Sequence, residues 1–195
     1  MKSSLEIRTF RPEDQDASLA IFKAGLFQYA VEGSVVRYME HQYFKLCSSS
    51  DMKDIYSYYV ENDDRCFFVA ECQGTVAGIV AGLLTRNDDG EAVVELQRMS
   101  VSKEFRRRGA GSMLVQRLLA WAREKRAQKV FLGTLDRKVS AIALYKKNGF
   151  QLKSSKPFEA KWFEEQFGVV TDEIVVLLTF ERTVSSSTPS PNNFK

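Results

Sequence analysis

The sequence predicts an α/β (α+β) single domain with a mixed central sheet of about six or seven strands flanked by helices. Two observations carry this prediction. Strand-like apolar runs alternate with helical patterns along most of the chain. The stretch from residue 93 to 135 also reads as strand, helix, strand, the order of a parallel pair joined by a right-handed crossover. With 195 residues and 44% hydrophobic composition, the chain can form one domain with a sizeable core.

The first third of the chain is predicted to be one short strand, residues 5–10, followed by helices. Asp14 or Asp16 caps the first helix. A second helix covers about residues 34–46, and the cluster Ser48–Asp51 ends it and starts a third helical stretch. Six tyrosines in this region predict either an aromatic wall for an amine or core packing with exposed hydroxyls. They are Tyr29, Tyr38, Tyr43, Tyr56, Tyr58 and Tyr59.

The middle of the chain is predicted to form a hairpin that leads into the most informative strand. Residues 66–71 and 75–84 are strands joined by the two-residue turn Gln73-Gly74. A turn at residues 86–90 returns the chain into a strand that ends at Val101. The remaining elements are, in order, a helix over about 109–126, a strand over 129–135, a helix over 139–148, a strand from Phe150, a loop or short amphipathic helix over 157–168 and a strand over 173–181.

The junction between the strand ending at Val101 and the next helix is predicted to bind phosphate. Unpaired backbone N–H groups at a helix start converge on one spot, and the helix dipole favours an anion there. Gly109 and Gly111 remove side chains that would keep a ligand from the backbone, and the run Arg106–Arg108 adds positive charge. The sequence therefore predicts a cradle for a polyphosphate.

Charge is distributed unevenly around this junction. Residues 1–90 contain nine Lys and Arg against fourteen Asp and Glu, whereas residues 91–195 contain nineteen against eleven. This division suits an anionic cofactor held by the basic half and a cationic substrate near the acidic half. Solvated surface charge would give the same pattern.

Two motifs resemble those of the GNAT superfamily, the acyl-coenzyme-A-dependent N-acyltransferases. The run Arg106–Gly111 matches the signature Q/R-x-x-G-x-G/A, and Leu144–Phe150 is similar to L-Y-x-K-x-G-F. The resemblance implies a GNAT-like acetyltransferase domain over residues 1–182. The Ser/Pro-rich residues 183–195 are predicted to be a disordered tail. The stretch around residues 95–101 is also similar to the camello-like branch, whose members carry a hydrophobic membrane segment that is absent from this sequence, so their substrates are not transferred.

The resemblance also implies which residues bind acetyl-CoA, the expected acyl donor. Backbone groups of Met99–Val101 would pair with the pantetheine arm as an added strand, and amides from Arg107 to Ser112 would hold the pyrophosphate. Many family members have an asparagine where Lys138 stands, and this lysine either reaches a phosphate or points to solvent. The implied acetyl-CoA-binding residues are Met99, Ser100, Val101, Arg106, Arg107, Arg108, Gly109, Ala110, Gly111, Ser112, Lys138 and Tyr145.

Transfer of an acetyl group from a thioester to an amine needs a base and an acid but no covalent nucleophile. Two residues are candidates for these roles. Glu95 is the candidate base, acting directly or through a water, because a carboxylate inside a covered strand requires a partner or a purpose. The alternative is an ion pair with Arg98 or a hydrogen bond to Gln97. The resemblance makes Tyr145 the acid for the departing thiolate, and a phenol with a pKa of ~10 can supply that proton. The alternative is a tyrosine that only packs its ring.

Other kinds of site have little support. Cys47, Cys66 and Cys72 lack metal-ligand spacing, and His41 is the only histidine, so no metal site is expected. The run Gly109–Ser112 lacks the lysine of a phosphate-binding P-loop. Three arginines without neighbouring basic clusters are a weak signal for nucleic acid, and no nucleic-acid partner is expected.

The sequence therefore predicts a soluble acetyl-CoA-dependent N-acetyltransferase that transfers acetyl to a primary amine by direct attack in a ternary complex. The alternative is a non-catalytic acyl-CoA-binding sensor or interaction module on the same scaffold. No run approaches the ~18 apolar residues of a membrane helix, and the N-terminus has no signal-peptide h-region. We expect a cytoplasmic protein, with the nucleus as the other compartment open to it, that has no membrane partner and is a monomer or homodimer.

Overall fold

The computed structural model describes residues 5–157, residue 165 and residues 174–184. Within these ranges one seven-stranded sheet is flanked by helices, which confirms the predicted fold class. The strands are β1 (Leu5–Thr9), β2 (Arg65–Cys72), β3 (Thr75–Arg86), β4 (Ala92–Val101), β5 (Lys129–Leu135), β6 (Gln151–Pro157) and β7 (Val176–Thr183). The helices are α1 (Gln15–Leu26), α2 (Val35–Ser49), α3 (Ala110–Glu124) and α4 (Val139–Lys147).

The strands lie in the order β1-β2-β3-β4-β5-β7-β6. Neighbouring described strands are antiparallel except β4 and β5, which run parallel. Helix α3 connects this parallel pair, as the strand, helix, strand order of the sequence predicts. The carboxyl ends of β4 and β5 therefore meet at one edge of the sheet, the edge from which α3 and α4 begin.

Two consecutive residues of β2 show that both faces of the sheet are covered. Phe68 lies in the core on the α3 face, together with Val94 and Leu118. Phe67 lies in the opposite core with Phe22 of α1. Because successive side chains of a strand point to opposite faces, the continuous apolar runs in the sequence are strands buried on both sides.

Three element boundaries differ from the sequence prediction. Helix α2 continues through Ser48 and Ser49, because both hydroxyls donate to the carbonyl of Lys45 inside the helix. The predicted third helix is a single π-helical turn, Tyr56–Val60. The last strand begins later than predicted, at Val176.

The C-terminal predictions fall partly outside the described residues. This is the case for most of the predicted loop over 157–168 and for residues 185–195 of the predicted tail. Strand β7 runs to Thr183, and the buried Val184 donates its amide to the carbonyl of Gln128 at 2.8 Å. The folded part of the chain therefore extends past the predicted domain boundary.

Candidate active site

The sheet opens between β4 and β5. These strands pair only across Val93–Glu95 and Lys129–Phe131. Both continue further, β4 to Val101 and β5 to Leu135, without pairing with each other. A cleft of about 1250 Å³ fills the gap and is lined by residues from β4, β5 and all four described α-helices. The carboxyl ends of the parallel pair thus bound a space large enough for an extended ligand.

A bulge in β4 lies beside this opening. The register between β3 and β4 shifts between Ile79 and Ala81, and Arg98 has a left-handed backbone conformation with a φ of 52°. A bulge bends its strand and increases the local twist. The bend falls just after the last residue of β4 that pairs with β5, so it accompanies the separation of the two strands.

The start of α3 presents unpaired backbone amides to the cleft. The first hydrogen bond of the helix runs from the Met113 amide to the Gly109 carbonyl at 3.0 Å, so the preceding amides have no intrahelical acceptor. Gly109 occupies the N-cap with a φ of 94°, and a Cβ built there would meet no atom within 4 Å. Gly111 packs closely, since its Cβ would lie 3.1 Å from Leu144. These two glycines and Ser112 line the cleft, as the sequence predicts for a phosphate cradle.

The three predicted arginines have different surroundings. Arg106 and Arg107 line the cleft, and Arg106 also donates from Nε to the Val101 carbonyl at 3.0 Å. The side chain of Arg108 lies over the Phe105 ring, 5.6 Å from its centroid, and does not line the cleft. The side chain of Ala110, the remaining predicted residue of the junction, is buried in the core below. Of the three predicted arginines, Arg106 and Arg107 therefore supply positive charge to the cleft.

Helix α4 presents Tyr145 to the cleft. Its ring packs against Phe150 and Phe180, with centroids 5.9 and 6.3 Å away, and the residue is 5% exposed. Within the described part of the chain its hydroxyl has no hydrogen-bond partner. Burial raises the pKa of Tyr145 above the ordinary value of a phenol, so the group is protonated at neutral pH. A protonated hydroxyl without a described partner can donate a hydrogen bond to a ligand.

Glu95 is half-buried in β4 and lines the same cleft as Tyr145. The sequence leaves open a bond to Arg98 or Gln97, but the structure gives both of them other partners. Arg98 is paired with Asp51, and Gln97 Oε1 lies 3.3 Å from the Tyr59 hydroxyl. The side-chain carboxylate of Glu95 has no hydrogen bond or ion pair with any described residue. Its carboxylate is therefore available to a ligand, and its catalytic role stays a prediction.

Lys138 lies at the N-cap of α4, and the protein itself holds its side chain. The ammonium is 2.9 Å from Glu40 Oε1 of α2 and donates to the Leu26 carbonyl at 3.2 Å. The side chains of Lys138 and Glu40 are 18% and 5% exposed. Lys138 lines the cleft, but its charge is neutralised by Glu40, so neither predicted orientation, toward a phosphate or toward solvent, describes it.

A second buried ion pair, which sequence reasoning missed, joins Arg98 of β4 to Asp51. Arg98 donates from Nε and Nη2 to the Asp51 carboxylate, at 2.8 and 3.0 Å, and also contacts the Tyr43 hydroxyl. The Tyr59 hydroxyl also donates to the Asp51 carboxylate, at 2.6 Å from Oδ2. Burial alone would raise the pKa of the Asp51 carboxyl, but hydrogen bonds from Arg98 and Tyr59 outweigh burial and hold that pKa below its ordinary value. No local pattern around Asp51 signals this partner.

Asn148 is a further residue that sequence reasoning missed. It lies in the run Leu144–Phe150 and is buried. Its Nδ2 donates to Ser112 Oγ at 3.3 Å, and its Oδ1 accepts from Gln116 Nε2 at 3.0 Å. The amide side chain thus joins the end of α4 to the first turn of α3. Its place inside the motif was the available signal.

Part of the tyrosine-rich region forms an aromatic wall on the far side of the cleft. We use this name for the lining residues Phe22, Tyr29, Met39, Tyr43 and Leu46. The buried Tyr29 hydroxyl has no described hydrogen-bond partner, which makes it a group that a ligand can satisfy. Tyr59 is a core residue instead, as the packing alternative predicts, and the binding of an amine by the other tyrosines stays a prediction.

The described residues contain no cluster of three or more His, Cys, Asp or Glu side chains arranged to hold a metal ion. Cys47, Cys66 and Cys72 are free thiols buried in the two cores. The His41 ring packs against Phe27, with ring centroids 4.5 Å apart. In the same part of the chain, none of the helices has the length and apolar character needed to cross a bilayer.

The fold, the opened β4–β5 pair and the glycine-bearing start of α3 define an acetyltransferase scaffold. The family described as Acetyltransferase (GNAT) family matches residues 33–150. The chain therefore belongs to the GNAT family of acetyltransferases.

Among individual proteins, the N-acetylaspartate synthetase of Xenopus tropicalis is 33% identical over 134 residues, which are 68% of this chain and 46% of that protein. The probable N-acetyltransferase camello of Xenopus laevis is 35% identical over 115 residues, 58% of this chain and 52% of that protein. The chain thus spans about half the length of these relatives. The structure of YncA from Salmonella typhimurium, solved with its cofactor acetyl-CoA, has the same fold. The TM-score is 0.63 at 18% identity, covering 94% of this chain and 95% of that chain.

Proposed function

We propose that this chain is an acetyl-CoA-dependent N-acetyltransferase that transfers acetyl to a primary amine by direct attack in a ternary complex. One observation carries the proposal. A single cleft is lined by the amide-bearing start of α3, the unpaired edge of β4, the carboxylate of Glu95 and the buried hydroxyl of Tyr145. These are the groups needed to hold a diphosphate, guide an extended arm, accept a proton and donate a proton.

In this proposal, acetyl-CoA occupies the gap between β4 and β5. The amides from Arg107 to Ser112, with the guanidinium groups of Arg106 and Arg107, hold the pyrophosphate. Beyond Glu95, none of the described strands pairs with β4 on its β5 side, so the backbone of Met99–Val101 can pair with the amides of the pantetheine arm. Such pairing directs the thioester toward the middle of the cleft.

The acceptor amine would then approach from the aromatic wall. Glu95 removes a proton from the ammonium, directly or through a water, and the free amine nitrogen attacks the thioester carbonyl. After the attack the nitrogen carries a positive charge, and it loses a second proton to solvent. As the carbon–sulfur bond breaks, Tyr145 donates its phenolic proton to the departing thiolate. The products are an N-acetyl amide and free coenzyme A. Tyr145 regains its proton from solvent and Glu95 releases the one it took.

The direct test is to incubate the protein with acetyl-CoA and a panel of amines while measuring the release of free thiol. The panel contains a polyamine, an aminosugar, a lysine peptide and aspartate, which is included because the name of one relative points to that acceptor. Thiol release that depends on one amine, together with a matching acetylated product, supports the proposal.

A thermal melt with acetyl-CoA, added to the same experiment, tests the sensor alternative. A sensor would be stabilised by acetyl-CoA, since a ligand that binds the native state raises the melting temperature by mass action. It would nevertheless release no thiol with any amine. Thermal stabilisation without turnover across the whole panel would therefore contradict the enzyme proposal and favour the sensor.

A further inference from the structure

Helix α4, which carries Tyr145, is anchored at both ends to opposite sides of the cleft. At its C-terminal end, Asn148 donates to Ser112 in the first turn of α3, next to the phosphate cradle. At its N-terminal end, Lys138 forms the ion pair with Glu40 of α2 and also donates to Leu26 at the end of α1. The backbones of α4 and these two helices do not pack extensively against each other. Lys138 is therefore a principal link between α4 and the helices of the aromatic wall.

We propose that Lys138 and Glu40 are positioning residues: their ion pair sets α4 relative to α1 and α2, and thereby sets the Tyr145 hydroxyl relative to the Glu95 carboxylate. This inference rests on the proposed function, in which both groups act on one reaction. Neither Lys138 nor Glu40 is asked to touch the reacting atoms.

The ion pair is suited to such a role because it is short and shielded from solvent. A buried charge whose partner is removed is strongly unfavourable, so the two side chains hold each other closely. The ammonium also meets the Leu26 carbonyl, which lies at the C-terminal end of α1, where helix carbonyls lack intrahelical donors and the dipole is negative. One cation thus joins three helices.

The distance from this link to the chemistry is short. Tyr145 lies two helical turns beyond Lys138, about 10 Å along the axis of α4. A short helix held at both ends moves as a rigid unit, so a shift at Lys138 is transmitted to the Tyr145 hydroxyl. A displacement of about 1 Å at a reacting group can lower a rate by about 10²-fold.

The test uses the double variant Lys138→Met with Glu40→Met. Removing one partner alone would leave a buried charge and endanger folding, whereas replacing both with apolar side chains is tolerated in many proteins. The double variant is compared with the wild type, with Tyr145→Phe, and with the triple combination. Lys146→Met is the matched control, because it removes one positive charge from an exposed position of the same helix that does not line the cleft. The quantities measured are kcat, the KM for acetyl-CoA and the melting temperature.

We expect the double variant to fold, to keep its KM for acetyl-CoA and to lose kcat by up to about 10²-fold. Adding Tyr145→Phe should lower kcat little further, because a misplaced acid has already lost its effect and the two changes are then not additive. Wild-type kcat in the double variant, or a Tyr145→Phe loss that is the same size in both backgrounds, would overturn the inference. A wild-type protein that turns over no amine would overturn the proposed function and this role with it. An active wild type with an unaffected double variant overturns this role alone.

Discussion

Glu95 lies opposite Phe131 at the last position where β4 and β5 are paired. Its carboxylate therefore stands where the sheet ends and the cleft begins. A base at this point can reach a ligand in the gap while its backbone remains fixed by β3 on one side and β5 on the other.

Replacing Glu95 with Gln should lower kcat by about 10²–10⁴-fold, because the amide cannot accept the ammonium proton. The side chain keeps its size, so the melting temperature and the affinity for acetyl-CoA should stay close to wild type. Steady-state kinetics measure kcat and report on acetyl-CoA binding, and thermal melting measures the melting temperature. The exposed Glu61→Gln is the matched control and should behave as wild type. Full turnover in Glu95→Gln would remove the residue from the mechanism.

Replacing Tyr145 with Phe should also lower kcat, and the pH dependence gives a separate check on its role. A general acid must be protonated, so activity is lost as pH rises through its pKa. Burial raises the pKa of Tyr145, and the loss should therefore fall above the ordinary phenol value of ~10. The kcat profile of the wild type, measured between neutral pH and about pH 10, should show no decline from this group. Equal rates in wild type and Tyr145→Phe, or a wild-type decline below about pH 10 that Tyr145→Phe abolishes, would contradict this account of the acid.

Arg107 should contribute to binding of the acetyl-CoA phosphates, since it lines the cleft beside the amides of α3. Arg107→Gln should weaken the affinity for acetyl-CoA, and the loss should diminish at high salt, where the wild-type interaction is screened. Calorimetry at two ionic strengths measures both effects. Arg108→Gln, whose wild-type side chain lies over Phe105, should lose less affinity, and Arg123→Gln, at an exposed position of α3, should lose none. Equal losses in all three variants would indicate a general charge effect.

Asp51→Asn should destabilise the protein by about 3–5 kcal/mol at neutral pH, because it leaves the buried Arg98 without its counter-ion. The pKa of Asp51 is lower in the folded protein than its ordinary value. Its stabilising contribution is therefore complete above the ordinary carboxyl value of ~3.9 and is lost as pH falls through the lower folded value.

Denaturant unfolding at neutral pH and at about pH 3 checks this prediction. The stability difference between wild type and Asp51→Asn should narrow at the acid pH. The exposed Asp63→Asn is the control and should match wild type at both values. A difference that stays constant with pH would contradict the assigned ionisation of Asp51.

Much of the site could be predicted because its signals are local. The Gly109 N-cap and the unpaired amides that follow it are set by a few consecutive residues, and the strand, helix, strand order is a pattern of neighbours. The same is true of Tyr145, which its motif places on a helix. Monomer or homodimer, cytoplasmic location and the nature of the tail stay predictions.

The partners of the charged residues could not be predicted in this way. Lys138 has no local signal for Glu40, and Arg98 lies 47 residues from Asp51 in the chain. Only tertiary packing brings these charges together, because a buried ion needs a counter-ion close to it in space. The sequence by itself thus determined the fold class and the family motifs, and phosphate binding at the start of α3 stays a prediction. Tertiary structure alone decided that Glu95 is left without a described partner and that Lys138 is held by Glu40, since separate helices, not neighbouring residues, supply the surroundings of a buried charge.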